Sequence, residues 1–432
     1  METATPIPPI NAPRLPLKAA RWRLWLGLAI VVFFAIALAL PIFYKMVYNI
    51  DPLAYWSDHV THLEFIVLHA AGRPLPSHGL YHIVVFSLNG FRADLPSLRT
   101  TALMVLTGLV ALKGAMIYAI LLRPASFLPD RENSRASSSI PLAVLLALLL
   151  LLAAPLTVPI HGWINASGRF YPSLWHNPTL LMATPFCIAL ALLAGRFLHT
   201  GQLALLCPLA IVATLGVYAK PNYFLAFLPA MSLAVLLRFA LAGWRKWLWF
   251  ALAVSPAIAL LFWQRAQTYQ NTDVARIVAF KPFGLTQAYG SFPLFLPNLA
   301  ASLLFPLTYL ILFRRQLASR PALALAWGVF ACAFAWAVLF VEVRLPTREV
   351  DTDGNFVWGA HLSILVLFLV TALDFLHARR PHPAAPAAAQ VPLKAQPISA
   401  RYKQRIVWAT LGLHALAGIW MYVSYLATGR YY

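Results

Sequence analysis

The stretch LWLGLAIVVFFAIALALPIF, residues 24–43, is free of charge and follows four cations, Arg14, Lys18, Arg21 and Arg23. A bilayer core about 30 Å thick is crossed by roughly 20 apolar helical residues, so this run is long enough to span. A removable signal peptide has a shorter apolar region and a small-residue cleavage site, and no such site follows Pro41, so the run reads as a retained helix. Working outward, similar runs begin near positions 24, 100, 140, 178, 203, 222, 247, 298, 322, 358 and 406. They predict an all-α polytopic membrane protein with about eleven transmembrane helices. Composition agrees: 61% hydrophobic residues, 11% charged residues and a mean hydropathy of +0.73 describe a chain solvated mainly by lipid.

Charge sets the expected orientation. With the N-terminus in the cytoplasm, the inner segments 1–23, 123–139, 195–202, 238–247, 314–321 and 374–405 hold 20 Lys/Arg and 4 acidic residues, against 12 and 9 outside. Lys113 falls within a span. This asymmetry follows the positive-inside rule, and attraction of short cytoplasmic loops to anionic lipid accounts for the net charge of +20 without a nucleic-acid partner. Cys187, Cys207 and Cys332 lie in apolar runs without metal-ligand spacing, so neither a disulfide framework nor a thiolate zinc site is expected.

The organisation expected is a cytoplasmic leader 1–23, rich in proline, and a transmembrane core 24–376 with outer loops 45–99, 159–176, 264–297 and 342–357. A Pro/Ala-rich basic linker 377–405 and a last transmembrane helix with outer C-terminus, 406–432, complete it. No loop is long enough for a core of its own. Residues 60–71 and 79–91, in the first outer loop, are short apolar stretches that read as interfacial helices at the membrane surface.

The chemistry concentrates in that first loop. The run Asp58-His59-Val60-Thr61-His62-Leu63-Glu64 places two carboxylates and two imidazoles within seven positions of a chain with 13 acidic residues. Asp58 reads either as a general base against an acceptor hydroxyl or amine, or as the cap of a helix starting near Val60. His59 and His62, at i and i+3, would with Asp58 and Glu64 offer ligands to a divalent cation if the segment turns helically; an assisting catalytic role is the other reading of His59.

Further along, polar and aromatic residues meet at helix ends: Trp175-His176-Asn177-Pro178-Thr179, Lys220-Pro221-Asn222, and Asp353-Gly354-Asn355-Phe356-Val357-Trp358. An aromatic belt explains the rings but not Lys220, a lysine in the break between two apolar runs. Such a cation either meets an anion such as phosphate or pairs with an outer-face carboxylate. Arg169, Arg265, Arg276, Lys281 and Arg344 add outer-face cations able to grip phosphate oxygens. Glu342 and Arg344 leave a helix together and are placed to pair. The acids at 342–353 read either as a solvated loop or as a sugar-binding lining. The sequon Asn165-Ala166-Ser167 is a three-residue pattern of low specificity. The absence of a phosphate-binding glycine loop, a dinucleotide fingerprint, an HExxH helix and a nucleophile elbow removes support for ATP hydrolysis and nicotinamide chemistry.

On these residues the chain resembles the GT-C superfamily of membrane glycosyltransferases. Tyr55-Trp56-Ser57-Asp58-His59 matches its motif after the first span, with Asp58 at the position of the catalytic acid. The strings at 175–179, 220–222 and 354–359 look like those of bacterial polysaccharide-biosynthesis proteins. The resemblance implies a site on the non-cytoplasmic face of a bacterial inner membrane, a polyprenyl-phosphate-linked sugar as donor, a glycan or glycolipid acceptor, and inversion at the anomeric carbon. It implies Asp58 as base assisted by His59, and phosphate held by Lys220 with Arg169, Arg265, Arg276, Lys281 and Arg344. Sugar or acceptor contacts would come from His62, Glu64, His176, Asn177, Asn222, Glu342, Asp353, Asn355 and Trp358. Many members carry paired acids where this chain has Asp58-His59, a departure that bears on metal dependence. The rival readings are a flippase of lipid-linked saccharides, with Lys220-Pro221 as a broken helix, and a polymerase or ligase working through loop 264–297.

Overall fold

The computed structural model describes residues 17–48, 57–122, 139–156, 168–240, 243–270, 275–288, 292–314, 320–351, 354–378 and 398–429, apart from 174 and 176. Most of the leader, the sequon and the Pro/Ala-rich stretch 379–397 lie outside the described residues. Helix α1 (Leu17–Tyr48) begins directly after Pro16, and its opening residues Leu17-Lys18-Ala19-Ala20-Arg21 are good helix formers. Between α1 and the next long helix lie α2 (His59–Ala70) and α3 (Leu80–Leu88), close to the two short helices expected there. Then follow α4 (Leu95–Leu122), α5 (Ile140–Leu152), α6 (Pro178–Thr200), α7 (Leu206–Ala219), α8 (Asn222–Phe239) and α9 (Trp244–Gln270).

The second half carries β1 (Arg276–Phe280), α10 (Gly284–Ala288), α11 (Phe292–Ser302), α12 (Leu304–Phe313), α13 (Pro321–Leu339), β2 (Phe340–Arg344), β3 (Glu349–Val350), α14 (Val357–Ala378) and α15 (Ile398–Thr428). The chain is a helical polytopic protein as expected, with one small sheet that the sequence reading does not contain. The β-branched runs Arg276-Ile277-Val278 and Val341-Glu342-Val343 form an antiparallel sheet ordered β1-β2-β3, with Arg276 opposite Arg344 and Val278 opposite Glu342. The last helix starts at Ile398, next to Pro397, so the basic residues 401–405 expected in a linker are helical.

Among the described residues, eight helices are long and apolar enough to cross a membrane: α1, α4, α6, α8, α9, α13, α14 and α15. A ninth crossing arises if α11 and α12, bent by 60°, count as one span. Pro306 explains the bend: it has no N–H for the Ser302 carbonyl four residues back, and its ring crowds that carbonyl. The runs beginning near 140 and 203 give helices of only 13 and 14 residues, so the count of eleven full spans is not reached. Pro155 and Pro221 lie just beyond their ends, and the residue before a proline is pushed out of the helical region.

Helix α14 is the pillar of the bundle. Its whole hydrophobic window is buried, as a helix apolar on every side must be, and it packs against α13, α8, α6 and α12. Around it, α1 lies along α4, and α7 fits between α6 and α9. Helix α1 turns Trp25, Phe33 and Tyr44 outward, rings suited to lipid rather than to a protein neighbour. Helix α15 closes the bundle over the end of α5: the Ala154 N–H donates to the His414 carbonyl at 3.0 Å, and His414 Nδ1–H donates to the Ala154 carbonyl at 2.6 Å.

That crossing is tight at Gly418, where a Cβ would overlap the Leu152 carbonyl oxygen. Since backbone cannot move aside as a side chain can, Gly418→Ala is expected to cost about 1–3 kcal/mol. It should lower the melting temperature of the detergent-solubilised protein by several degrees. Gly412→Ala, where a Cβ meets no atom within 4 Å, should not.

Candidate functional site

The expected residues meet where the N-termini of α6, α8 and α14 come together with α2 and β2. Asp58 occupies the position before α2, but its side chain makes no capping bond. Instead Asp58 Oδ2 accepts a 2.8 Å hydrogen bond from Asn177 Nδ2. Asn177 is itself the cap of α6: its Oδ1 accepts from the backbone N–H groups of Thr179 and Leu180, both at 3.1 Å, and from the Thr179 hydroxyl at 2.8 Å. With Oδ1 committed to the helix end, the amide nitrogen has to face Asp58. The capping reading of Asp58 is therefore replaced: Asn177 caps, and Asp58 is held by the cap.

Lys220 sits in the break between α7 and α8 with extended backbone, φ −166° and ψ 116°. It is buried, and burial pushes its pKa down to about 8 against the opposing pull of Asp58 and Glu342. Among the described residues it forms no ion pair and no side-chain hydrogen bond. The expected pairing with an outer-face carboxylate is thus not formed there; Lys220 feels two carboxylates without being bonded to either.

Glu342, buried on β2, accepts from the Tyr269 hydroxyl and from Asn355 Nδ2 at 2.7 Å, with Arg276 Nη1 at 3.9 Å. Asn222 Nδ2 donates to the Asn355 carbonyl at 2.5 Å, tying the start of α8 to the turn before α14. The approach is close enough that a Cβ on Gly359 would lie 2.9 Å from the Asn222 carbonyl oxygen. Arg276 and Arg344 face each other across the sheet, an unfavourable like-charge pair. Buried Asp351 offsets it by bonding both, Arg276 Nη1 at 2.8 Å and Arg344 Nη2 at 3.0 Å. The expected Glu342–Arg344 pair is corrected accordingly: Arg344 takes Asp351, because alternate strand positions point both side chains to one face and Asp351 reaches it from beyond β3.

The other expected residues are spread out. His59 Nε2–H donates to the Trp175 carbonyl at 2.9 Å, and its ring meets the Phe43 ring at 5.5 Å. His62 Nδ1 and His82 Nε2 share a hydrogen bond of 2.8 Å. The two histidines of the expected cation set therefore engage different partners, and among the described residues no three His, Cys, Asp or Glu side chains converge as a metal requires. Arg169 is buried, with Nε 3.5 Å from Asn298 Oδ1. Trp358 is buried with its ring 5.6 Å from that of His361. Glu64, Arg265 and Lys281 are exposed. His176 and Asp353 lie outside the described residues.

Tyr269 and His82 were not foreseen. The sequence places Tyr269 in an outer loop, whereas α9 continues through it; His82 is a lone imidazole in an apolar run, which carries no spacing signal.

No family model matches the chain, and no curated protein matches it.

Two outcomes follow from the geometry. Burial holds His62 well below the usual histidine range and His82 at about 4, and the nearby Lys220 cation adds to both effects. Unfolded, these rings titrate near 6.5, so between the folded and ordinary values the unfolded loop binds more protons. The contribution to stability is present at neutral pH, begins to be lost as pH falls below about 6.5 and goes on being lost down to about 4. Amide exchange in α2 and α3, corrected for its intrinsic pH dependence, should accelerate between pH 7.5 and 5.5. At Asn177, replacement by Ala removes the cap and is expected to cost roughly 0.5–2 kcal/mol. Asn177→Asp keeps a capping oxygen but opposes Asp58 with a second carboxylate. Its melting temperature should fall below wild type at pH 7.5 and approach wild type, compared at the same pH, at pH 5.

Proposed function

We propose that this protein is a membrane glycosyltransferase of GT-C type. On this reading it moves a sugar from a polyprenyl-phosphate donor to a glycan or glycolipid acceptor on the non-cytoplasmic face of a bacterial inner membrane. The observation that carries the reading is the grouping of Asp58, Lys220 and Glu342: a held carboxylate, a buried cation bonded to neither carboxylate, and a second carboxylate embedded in a polar network. In this reading α2 and α3 lie at the membrane surface and the N-terminus is cytoplasmic, as the charge asymmetry predicts.

The transfer needs a base, a way to stabilise the departing phosphate, and orientation of the sugar. Asn177 fixes Asp58 Oδ2, leaving Oδ1 to take the proton of the acceptor hydroxyl as its oxygen bonds to the anomeric carbon. The bond from that carbon to the phosphate oxygen breaks on the opposite face, inverting the centre. The phosphate leaves with the electron pair, and Lys220 balances its charge in a site of low dielectric. Asn222, Asn355 and Glu342 present amide and carboxylate groups suited to sugar hydroxyls. No step requires a nucleotide.

The test is the glycan and glycolipid profile, by mass spectrometry, of a strain lacking the gene and complemented at matched membrane expression. Wild type should restore a missing sugar mass and Asp58→Asn should not, since loss of a positioned base costs about 10²–10⁴ in rate. Full rescue by Asp58→Asn would remove Asp58 as the base and favour transport or a late-loop polymerase. In membranes, donor binding should weaken as pH rises through about 8, because Lys220 then loses its charge. Lys220→Arg should flatten that pH dependence.

A further inference from the structure

Lys113 lies midway along α4 and is buried. Its Nζ donates to Ser173 Oγ at 3.0 Å, and the Ser173 hydroxyl proton is in turn committed to the Leu151 carbonyl at 2.9 Å. An ammonium group has three donors. Among the described residues Lys113 forms no ion pair and bonds no other side chain. An uncompensated cation inside a membrane span is costly and marks a functional position.

Beside it is a cavity of about 20 Å3, measured to the centre of a water-sized sphere, lined by Lys113, Tyr171, Thr184 and His361 with the apolar Leu181 and Leu365. That is room for a single small guest. The polar lining is biased toward donors. His361 Nδ1 accepts from the Tyr171 backbone N–H at 2.9 Å, so in the neutral ring the proton is on Nε2. The Tyr171 hydroxyl is buried beside Arg169 without a hydrogen bond of good geometry. Thr184 spends its own proton on the Leu180 carbonyl at 2.9 Å. Lysine and tyrosine offer hydrogens, Thr184 Oγ alone turns lone pairs inward, and among the described residues no carboxylate lines the space. A water molecule would have to place two hydrogens among these groups; an anion accepts only.

We propose that this cavity is a binding site for a small monovalent anion of halide size, held by Lys113 and the Tyr171 hydroxyl. The site is separate from the Asp58–Lys220–Glu342 group and does not depend on the reading of that group. Bound there, the anion neutralises the buried cation of Lys113 and fixes Ser173, four residues before Asn177.

Bromide serves as the probe. Crystals of the full chain grown in sodium bromide, with diffraction collected at the bromine edge, should show an anomalous peak within about 3.5 Å of Lys113 Nζ. In detergent at constant ionic strength, exchanging gluconate for chloride should raise the wild-type melting temperature saturably, by roughly 2–4 °C. Lys113→Met should abolish the dependence on chloride. No anomalous peak at Lys113 overturns the proposal whatever the melting data show, and requires no variant to fold. A chloride effect that survives in Lys113→Met also overturns it, since the anion then acts elsewhere.

Discussion

Backbone that is neither helix nor strand is tolerated at membrane depth only if protein groups satisfy it, and residues 168–177 put the whole structure under that constraint. The described residues of this segment, 168–173, 175 and 177, are all buried, yet they lie between α5 and α6 rather than in either. Side chains from distant helices take over its hydrogen bonding. Ser302 Oγ accepts from the Phe170 N–H at 3.0 Å, His361 Nδ1 from the Tyr171 N–H at 2.9 Å, and His59 donates to the Trp175 carbonyl. Lys113 holds Ser173, and Asn177 ends the segment by capping α6 while binding Asp58. Each hook comes from a different element, namely the end of α11, α14, α2 and α4, so these elements are registered against one another through ten residues of irregular chain. The placement of the Asp58 carboxylate follows from this arrangement: among the described residues it is bonded by Asn177, the last residue of the segment.

The second dependence is on α14. At its start, Gly359 lets the Asn222 carbonyl approach, and Asn355 links that carbonyl's residue to Glu342. Near its other end, buried Asp374 pairs with Arg320 and accepts from the Tyr309 hydroxyl at 2.5 Å. Those anchors are separated by about five helical turns, or some 25 Å, so the pillar is fixed at both ends by polar contacts and along its length by apolar packing. Such pairs add little net stability compared with apolar replacements, but losing one partner leaves a charge stranded in the interior. Their effect is to favour one register of α14 against α8, α12 and α13 over sliding alternatives.

Much of this was legible in the sequence because lipid imposes a simple rule on length and polarity. Eight long helices, the two short helices between the first and second of them, and the polar cluster of Asp58, Asn177, Lys220, Asn222, Glu342 and Asn355 fall where apolar runs and their polar breaks indicated. Hydropathy reads composition, however, and composition does not say where a helix stops. It extended the 140 and 203 runs across the membrane although Pro155 and Pro221 truncate them, and it gave Tyr269 to a loop that α9 occupies. The sheet escaped for a related reason: its longer strands are five residues each and gain meaning only by pairing across more than sixty residues of sequence. Pair identities were hidden as well. Spacing offered Arg344 to Glu342, whereas Asp351 relieves two facing arginines at once, which depends on sheet register.

The two buried lysines show how position assigns different work to one side chain. Each lacks an ion pair among the described residues. Lys220 lies at a helix break, and Asp58 and Glu342 act on it from a distance too great to bond but near enough to favour its charge. An anion arriving at Lys220 therefore meets both an attractive cation and the repulsion of two carboxylates. Lys113 lies inside a helix, bonded to a serine whose proton points away, with a donor-rich lining and no carboxylate beside it. Among the described residues no carboxylate there opposes an anion. In a chain with 33 basic and 13 acidic residues, acids are too few to neutralise every buried cation directly. Where the carboxylates are spent thus gives the two buried lysines different electrostatic surroundings.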